Sequence, residues 1–144
     1  MRLVGCVQTN LDCPNEHRCD MDGVVLPDGP TIRISQSLGG EARGCRLDTA
    51  ALEQSVTEVQ ARLSATIDLL ILNKLGKHEA EGRGFRYVIA EAMFQAIAVL
   101  TTVNRFNEKA FLSFTGGLAT KLPTDITSLM EWTLAKTASC EEMV

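Results

Sequence analysis

The sequence predicts an α/β fold, with a three-layer, mostly parallel sheet and helices on both faces. The first observation is that short apolar runs alternate with amphipathic segments through the second half of the chain, as parallel strands joined by helical crossovers require. The second is that 144 residues, 45% of them hydrophobic and 22% charged, suit one globular domain with its own core. We therefore expect a single domain over residues 1–138 and a frayed tail over residues 139–144.

The first half of the chain is predicted to supply two strands and one helix. Residues 3–8 are a short apolar run, and residues 31–35 alternate between apolar and polar as a strand with one wet face does. Residues 10–30 are rich in Asn, Asp, Pro and Gly and predict a loop with room for a hairpin edge, and residues 39–44 predict a flexible link. A helix follows, capped by Asp48 or Thr49, with an inward face of Leu52, Val56, Val59 and Leu63.

The second half of the chain is predicted to alternate strands and helices. Its elements are a strand over residues 68–72, a helix with its apolar face over residues 85–93, a strand over residues 98–103, a short helix over residues 106–114, a last strand over residues 118–122, and a helix from an Asp125 cap through Leu134.

Charge and hydropathy exclude several classes of protein. The formal net charge of −4 argues against a general nucleic-acid binder, because such proteins carry a basic face. No apolar run approaches the roughly 18 residues that span a bilayer, and the start of the sequence does not have the pattern of a signal peptide. We expect a cytoplasmic protein that binds neither nucleic acid nor membrane.

The cysteines predict reduced thiols rather than a disulfide framework. Their number is five, which is odd, and no secretion signal accompanies them. His17 lies near Cys13 and Cys19, so a zinc site is one alternative. The spacing matches no common zinc module, and we therefore predict no metal and no cofactor.

Polar residues follow two of the predicted parallel strands at their carboxyl ends, where open parallel sheets bind ligands. Guanidinium groups pair two oxygens of an anion at once, and glycines let backbone amides approach it. The alternative is that these residues are solvated loop positions, with Glu79 and Glu81 neutralising their basic neighbours. The predicted anion-binding residues are Asn73, Lys74, Lys77, Arg83, Arg86, Asn104 and Arg105.

A second charged cluster flanks the alternating strand. Arginines beside thiols can lower a thiol pKa, but cysteine catalysis also needs a histidine base, and the sequence has only His17 and His78. We favour the alternative that Arg–Asp contacts tie two loops together. The cluster consists of Cys19, Asp20, Arg43, Cys45 and Arg46.

Long motifs carry a family resemblance over nearly the whole chain. These are GCVQTN, HRCDMD, IRISQSLGGEARGCRLD, LLILNKLGKHEAEGRGFR, LTTVN and FLSFTGGLATKLP. Together they resemble a bacterial domain family of unknown function that is associated with molybdate-uptake genes.

The order of elements is also distantly similar to the P-loop nucleoside triphosphatases of the thermophilic nucleotide phosphatase type. The resemblance places Asn73 on that family's metal-binding Asp and Lys74 on its catalytic Glu, and it matches Gly76 and Glu79 to a glycine and a second Glu. Phosphoryl transfer needs carboxylates to hold Mg²⁺ and orient water, which Asn73 and Lys74 do not supply. The phosphate-binding loop, with its preceding strand and following helix, has no counterpart in the sequence.

Three functions follow from this combination. The first is a degenerate P-loop-like domain that binds a small anion (a nucleotide, phosphate or a molybdate-like oxyanion) without hydrolysis. The second is a nucleotide phosphohydrolase with Glu79 as its acid or base. The third is an interaction or regulatory module in metal homeostasis, with the Cys19 and Cys45 loops or a strand edge as its contact. Loss of the first strand would leave a sheet edge exposed, through which the chain is expected to form a homo-oligomer.

Overall fold

A five-stranded sheet forms the centre of the computed structural model, which describes residues 1–10, 21–35 and 48–141. The strands are β1 (Leu3–Asn10), β2 (Met21–Leu26), β3 (Thr31–Arg33), β4 (Leu69–Leu75) and β5 (Ala98–Val103), and the helices are α1 (Thr49–Arg62), α2 (Lys77–Ala80), α3 (Arg86–Phe94), α4 (Glu108–Phe114) and α5 (Ile126–Glu141).

The sheet is mixed, with strand order β3-β2-β1-β4-β5. β1, β4 and β5 are parallel, whereas β1, β2 and β3 pair antiparallel. The predicted α/β class is confirmed, and the arrangement is compatible with a P-loop-like fold. The prediction of a mostly parallel sheet is wrong, because residues 21–26 leave the predicted loop and fold back on β1 as an antiparallel strand.

Helix α1 covers the antiparallel half of the sheet, and its predicted cap and inward face are confirmed. The Asp48 carboxylate accepts the backbone N–H groups of Ala50 at 3.1 Å and Ala51 at 3.2 Å, which satisfies two of the donors left open at a helix start. The side chains of Leu52, Val56 and Val59 are buried against the sheet.

Strands β4 and β5 pair in the parallel half of the sheet, and helix α3 packs against β5. Leu70 and Leu72 of β4 join the core, together with Val88 and Ile89 of α3. Leu69 is only 2% exposed but lies outside that core, because successive residues of a strand point to opposite faces. The second face of the sheet is therefore also covered at this strand, and α5 contacts the neighbouring β5.

Several elements differ from the sequence predictions. The last predicted strand, residues 118–122, is wrong: this stretch forms no strand, and Leu118 is 76% exposed because no neighbour covers it. β4 runs on to Leu75, so Asn73 lies inside the strand rather than after it. α5 begins after Asp125, which accepts the Ser128 N–H as predicted, and it continues past Leu134 to Glu141.

The helices of the described ranges are too short or too polar to cross a membrane. The predicted flexible link over residues 39–44 lies outside the described residues.

Candidate functional site

A small cleft lies at the carboxyl ends of β4 and β5, the position at which open parallel sheets bind ligands. Leu75 and Gly76 line it where β4 ends, and Val103 lines it where β5 ends. Helices α2, α3 and α4 supply the other walls through Glu79, Ala80, Arg86, Ile89, Asn107, Ala110, Phe111 and Phe114.

Arg86 brings the positive charge to this cleft. It is the first residue of α3, it is half-buried, and its guanidinium lies 4.5 Å from the centre of the Phe114 ring. Within the part of the chain that the structure describes, no carboxylate forms an ion pair with it. A guanidinium stacked on an aromatic ring keeps its in-plane N–H donors available, so Arg86 can receive an anion.

Glu79 holds together the two turns that border the cleft. One carboxylate oxygen accepts the Gly76 N–H at 2.8 Å, and the other accepts the Phe85 N–H at 3.2 Å. The end of β4 is thereby connected to the start of α3. These two backbone donors are consequently engaged by Glu79.

Asn73 contacts β1 rather than the cleft. Its Oδ1 accepts the Gln8 N–H at 2.5 Å, and its Nδ2 donates to the Gln8 carbonyl at 3.3 Å. The β4–β5 register is irregular between Leu72 and Leu75. Asn73 therefore extends the β1–β4 contact with its side chain where the regular pairing has ended at Cys6 and Leu72.

Three other residues of the predicted set lie near the strand ends but outside the cleft lining. Arg83 is exposed and paired with Glu81. Asn104 accepts the Asn107 N–H at 2.9 Å and so shapes the turn after β5. Arg105 is exposed on the same turn.

The remaining predicted residues cannot be placed in the site. The backbones of Lys74 and Lys77 lie in β4 and α2, but their side chains are outside what is described. The second cluster falls entirely outside the described residues, and its members are Cys19, Asp20, Arg43, Cys45 and Arg46.

The contribution of α4 to the cleft was not predicted. The sequence indicated the helix itself, but Asn107, Phe111 and Phe114 were not among the predicted site residues. A signal was available, since a short helix that directly follows a parallel strand lies at the same carboxyl rim.

Cys6 is a buried thiol in the core below the sheet. Burial raises its pKa to about 11, because the apolar surroundings disfavour the thiolate. The thiol is therefore a packing group. Across the described ranges, no three His, Cys, Asp or Glu side chains are grouped to hold a metal ion.

Fold and cleft together define a small α/β domain with a half-buried guanidinium at its parallel strand ends. The chain belongs to the family described as protein of unknown function DUF2478, whose model matches residues 1–132. The predicted membership of a family of unknown function is thereby confirmed.

A curated relative is much longer than this chain. The Molybdenum import ATP-binding protein ModC 2 of Bradyrhizobium diazoefficiens is 38% identical over 121 residues, which are 84% of this chain but 14% of that protein. No solved structure matches the chain.

Proposed function

We propose that this domain binds a small anion at the cleft between the ends of β4 and β5 and does not hydrolyse it. The observation that carries the proposal is Arg86, a half-buried cation in the cleft that no described carboxylate pairs. A charge that is partly removed from water is costly unless a partner compensates for it. A bound anion is such a partner.

The chemistry of a guanidinium supports an oxyanion as the ligand. Its planar fork donates two parallel hydrogen bonds to a carboxylate or phosphate. Hydrogen bonds to charged groups contribute roughly 1.5–3 kcal/mol each. Lys74 and Lys77 start from the neighbouring backbone of β4 and α2, and we propose that their ammonium groups add charge at the same rim.

Residues at the end of β4 support binding without hydrolysis. The resemblance to triphosphatases puts Asn73 and Lys74 where those enzymes have carboxylates for Mg²⁺ and water. The Asn73 amide also has both polar atoms on the backbone of Gln8. Because both polar atoms of this side chain bond to a neighbouring strand, the side chain is poorly placed to hold a metal ion.

The relative suggests which anions to examine. Its name refers to ATP binding and to molybdenum import, so nucleotides and molybdate are candidate ligands for this chain, together with phosphate. The match covers 84% of this chain but only 14% of that protein. The ligand must therefore be measured on this domain itself.

A thermal-unfolding scan tests the proposal. The protein is heated with ATP, GTP, phosphate, molybdate or tungstate, each with and without Mg²⁺. A ligand at 100 times its dissociation constant adds about 2.7 kcal/mol, which corresponds to roughly 5–11 °C for a domain of this size. We expect a shift without Mg²⁺ that is lost in Arg86→Met and kept in Arg83→Met, a control on the surface.

Two outcomes of the scan would contradict anion binding without hydrolysis. A shift that is equal in Arg86→Met and the native protein would exclude the cleft. A shift that requires nucleotide and Mg²⁺ together, with phosphate release that disappears in Glu79→Gln, would favour the phosphohydrolase instead.

A second candidate function is an interaction module, and it is favoured by the edge at β5. Among the described strands, β5 pairs with β4 alone, and its six residues AVLTTV include no charge and no proline. Charges and short length protect most edge strands from further pairing. The opposite edge, β3, has three residues and includes Arg33. We propose that β5 is where a homo-oligomer or another protein adds a strand.

Light scattering over a range of concentrations tests this second function. We expect the mass to rise with concentration, and we expect Thr102→Lys on β5 to abolish the rise because an edge lysine opposes pairing. Thr31→Lys makes the same change on β3 and should leave the rise intact. A constant monomer mass would contradict self-association.

A further inference from the structure

The walls of the cleft are mainly apolar. They are formed by the side chains of Leu75, Ile89, Val103, Ala110, Phe111 and Phe114. Walls of this kind repel a hydrated ion and favour an apolar group. The cleft therefore combines the cation of Arg86 and the carboxylate of Glu79, whose oxygens accept backbone N–H groups, with a mainly apolar surface.

Most polar donors at the cleft already have acceptors. The N–H groups of Gly76 and Phe85 donate to Glu79, and the Asn107 side chain donates to Asn104 at 2.9 Å. Of the lining residues that the structure describes, Arg86 is the one that brings a cationic donor.

A free tetrahedral dianion would be poorly satisfied by such a site. One guanidinium donates two parallel hydrogen bonds, so the remaining oxygens of phosphate or molybdate would face apolar side chains at a cost in desolvation. A single charged group joined to an apolar body avoids this conflict, because its charge meets Arg86 and its body meets the walls.

We infer that the ligand of the cleft is an organic anion, with a carboxylate or phosphate-monoester group on a flat or branched apolar body. This inference rests on the proposed function, because it needs an anion at Arg86. It separates the organic anions from free phosphate and molybdate, which the proposed function alone does not do.

The enclosed space of the cleft is about that of one water molecule. A body of one ring therefore fits only when a wall of the cleft moves. The α4 wall can adjust, since α4 contains no buried residue and is followed by Gly116 and Gly117, both at positive φ with open space around them.

Matched pairs of anions test the inference by isothermal titration calorimetry. Phenyl phosphate is compared with phosphate, benzoate with acetate, and molybdate is measured alone. We expect each aromatic member to bind at least tenfold more tightly than its small counterpart. The two aromatic compounds also tell which charged group the cleft prefers.

Two wall variants keep the test independent of folding. Phe111→Ala removes an apolar wall and should weaken the aromatic members about tenfold, whereas Phe106→Ala, whose side chain is 91% exposed outside the cleft, should not. Ala110→Leu fills the cleft from an exposed helix position and should weaken the same ligands without removing any core contact.

The results distinguish this inference from the proposed function. Equal or tighter binding of phosphate or molybdate, compared with the aromatic members, would overturn the inference while leaving anion binding in place. Aromatic binding that survives Ala110→Leu unchanged would also overturn it. Binding that is unaffected by Arg86→Met, or no binding of any anion, would overturn the proposed function itself.

Discussion

The side chain of Asn73 holds the backbone of Gln8 at two points, accepting its N–H at 2.5 Å and donating to its carbonyl at 3.3 Å. A side-chain amide here imitates the backbone of a neighbouring strand. Because both an acceptor and a donor are used, neither an apolar residue nor a carboxylate replaces Asn73 without loss.

Asn73→Asp is expected to destabilise the protein. A carboxylate can accept the Gln8 N–H, but it has no donor for the Gln8 carbonyl and places a charge beside it. We expect a loss of about 1–3 kcal/mol in the free energy of unfolding, measured by urea denaturation at pH 7.

The matched control for this variant is Asn104→Asp. Asn104 is exposed and uses its Oδ1 as an acceptor toward Asn107, a role that a carboxylate retains. Its effect should stay within about 0.5 kcal/mol. An equal loss in both variants would mean that the Asn73–Gln8 contact has no particular value.

Glu79→Gln is expected to loosen the border of the cleft. Both oxygens of the carboxylate accept backbone N–H groups, and an amide offers only one oxygen. The expected loss is about 1–3 kcal/mol in urea denaturation. Glu81→Gln removes an exposed ion pair with Arg83 and should cost less than about 1 kcal/mol. The reverse order of the two variants would contradict this role of Glu79.

Gly5→Ala is expected to disrupt the pairing of β1 with β4. A methyl group at Gly5 would overlap the carbonyl oxygen of Ile71, which belongs to the backbone and cannot turn aside. The cost should exceed about 2 kcal/mol, as overpacking of a rigid site does. Gly76→Ala meets no atom within 4 Å and is the control. Thermal midpoints measured on both variants decide the matter, and a Gly5→Ala midpoint like that of Gly76→Ala would refute the close approach.

The buried thiol of Cys6 gives stability a dependence on high pH. Its folded pKa of about 11 exceeds the ordinary thiol value of about 8.5, so the folded state keeps this proton when the unfolded state loses it. The contribution is full below the ordinary value and is lost as the pH rises toward 11. The difference in urea midpoint between the native protein and Cys6→Ala should therefore shrink between pH 8 and pH 10.5. A difference that stays constant over this range would contradict the burial of a protonated thiol.

Local patterns predicted α1 and β5. The spacing of Leu52, Val56 and Val59 is helical, whereas residues 98–103 form a short run of apolar residues and threonine that is typical of a strand. Strand β2 was predicted only as a hairpin edge for which the loop over residues 10–30 had room. Its pairing with β1 depends on the tertiary fold and not on local pattern.

The false strand at residues 118–122 has a different cause. Residues 118–122 follow the predicted helix over residues 106–114, where the strand–helix order of the second half would place a strand, but no described strand pairs with them and Leu118 is exposed. The order of elements along the chain does not report whether a neighbouring strand is present to pair with.

The sequence predicted a site at the end of the sheet where the cleft lies, but it did not predict the individual contacts. Arg86 was among the predicted residues because of its place after a strand, and it does line the cleft. The bonds of Asn73 to Gln8 and of Glu79 to Gly76 could not be predicted, because each depends on how the backbone bends at the end of β4. The aromatic wall of α4 depends on the position of that helix over β5.

The cleft is also local in the sequence: all its walls lie between Leu75 and Phe114. By contrast, the pairing of β1 with β4 joins residues as far apart as Leu3 and Leu69. Closing a longer loop costs more chain entropy, and contacts between distant residues slow folding. The unit of β4, α3 and β5 can therefore assemble first, with β1 and its hairpin docking afterwards. In this order, the contact between β1 and Asn73 completes the sheet late, whereas the cleft at the ends of β4 and β5 forms early.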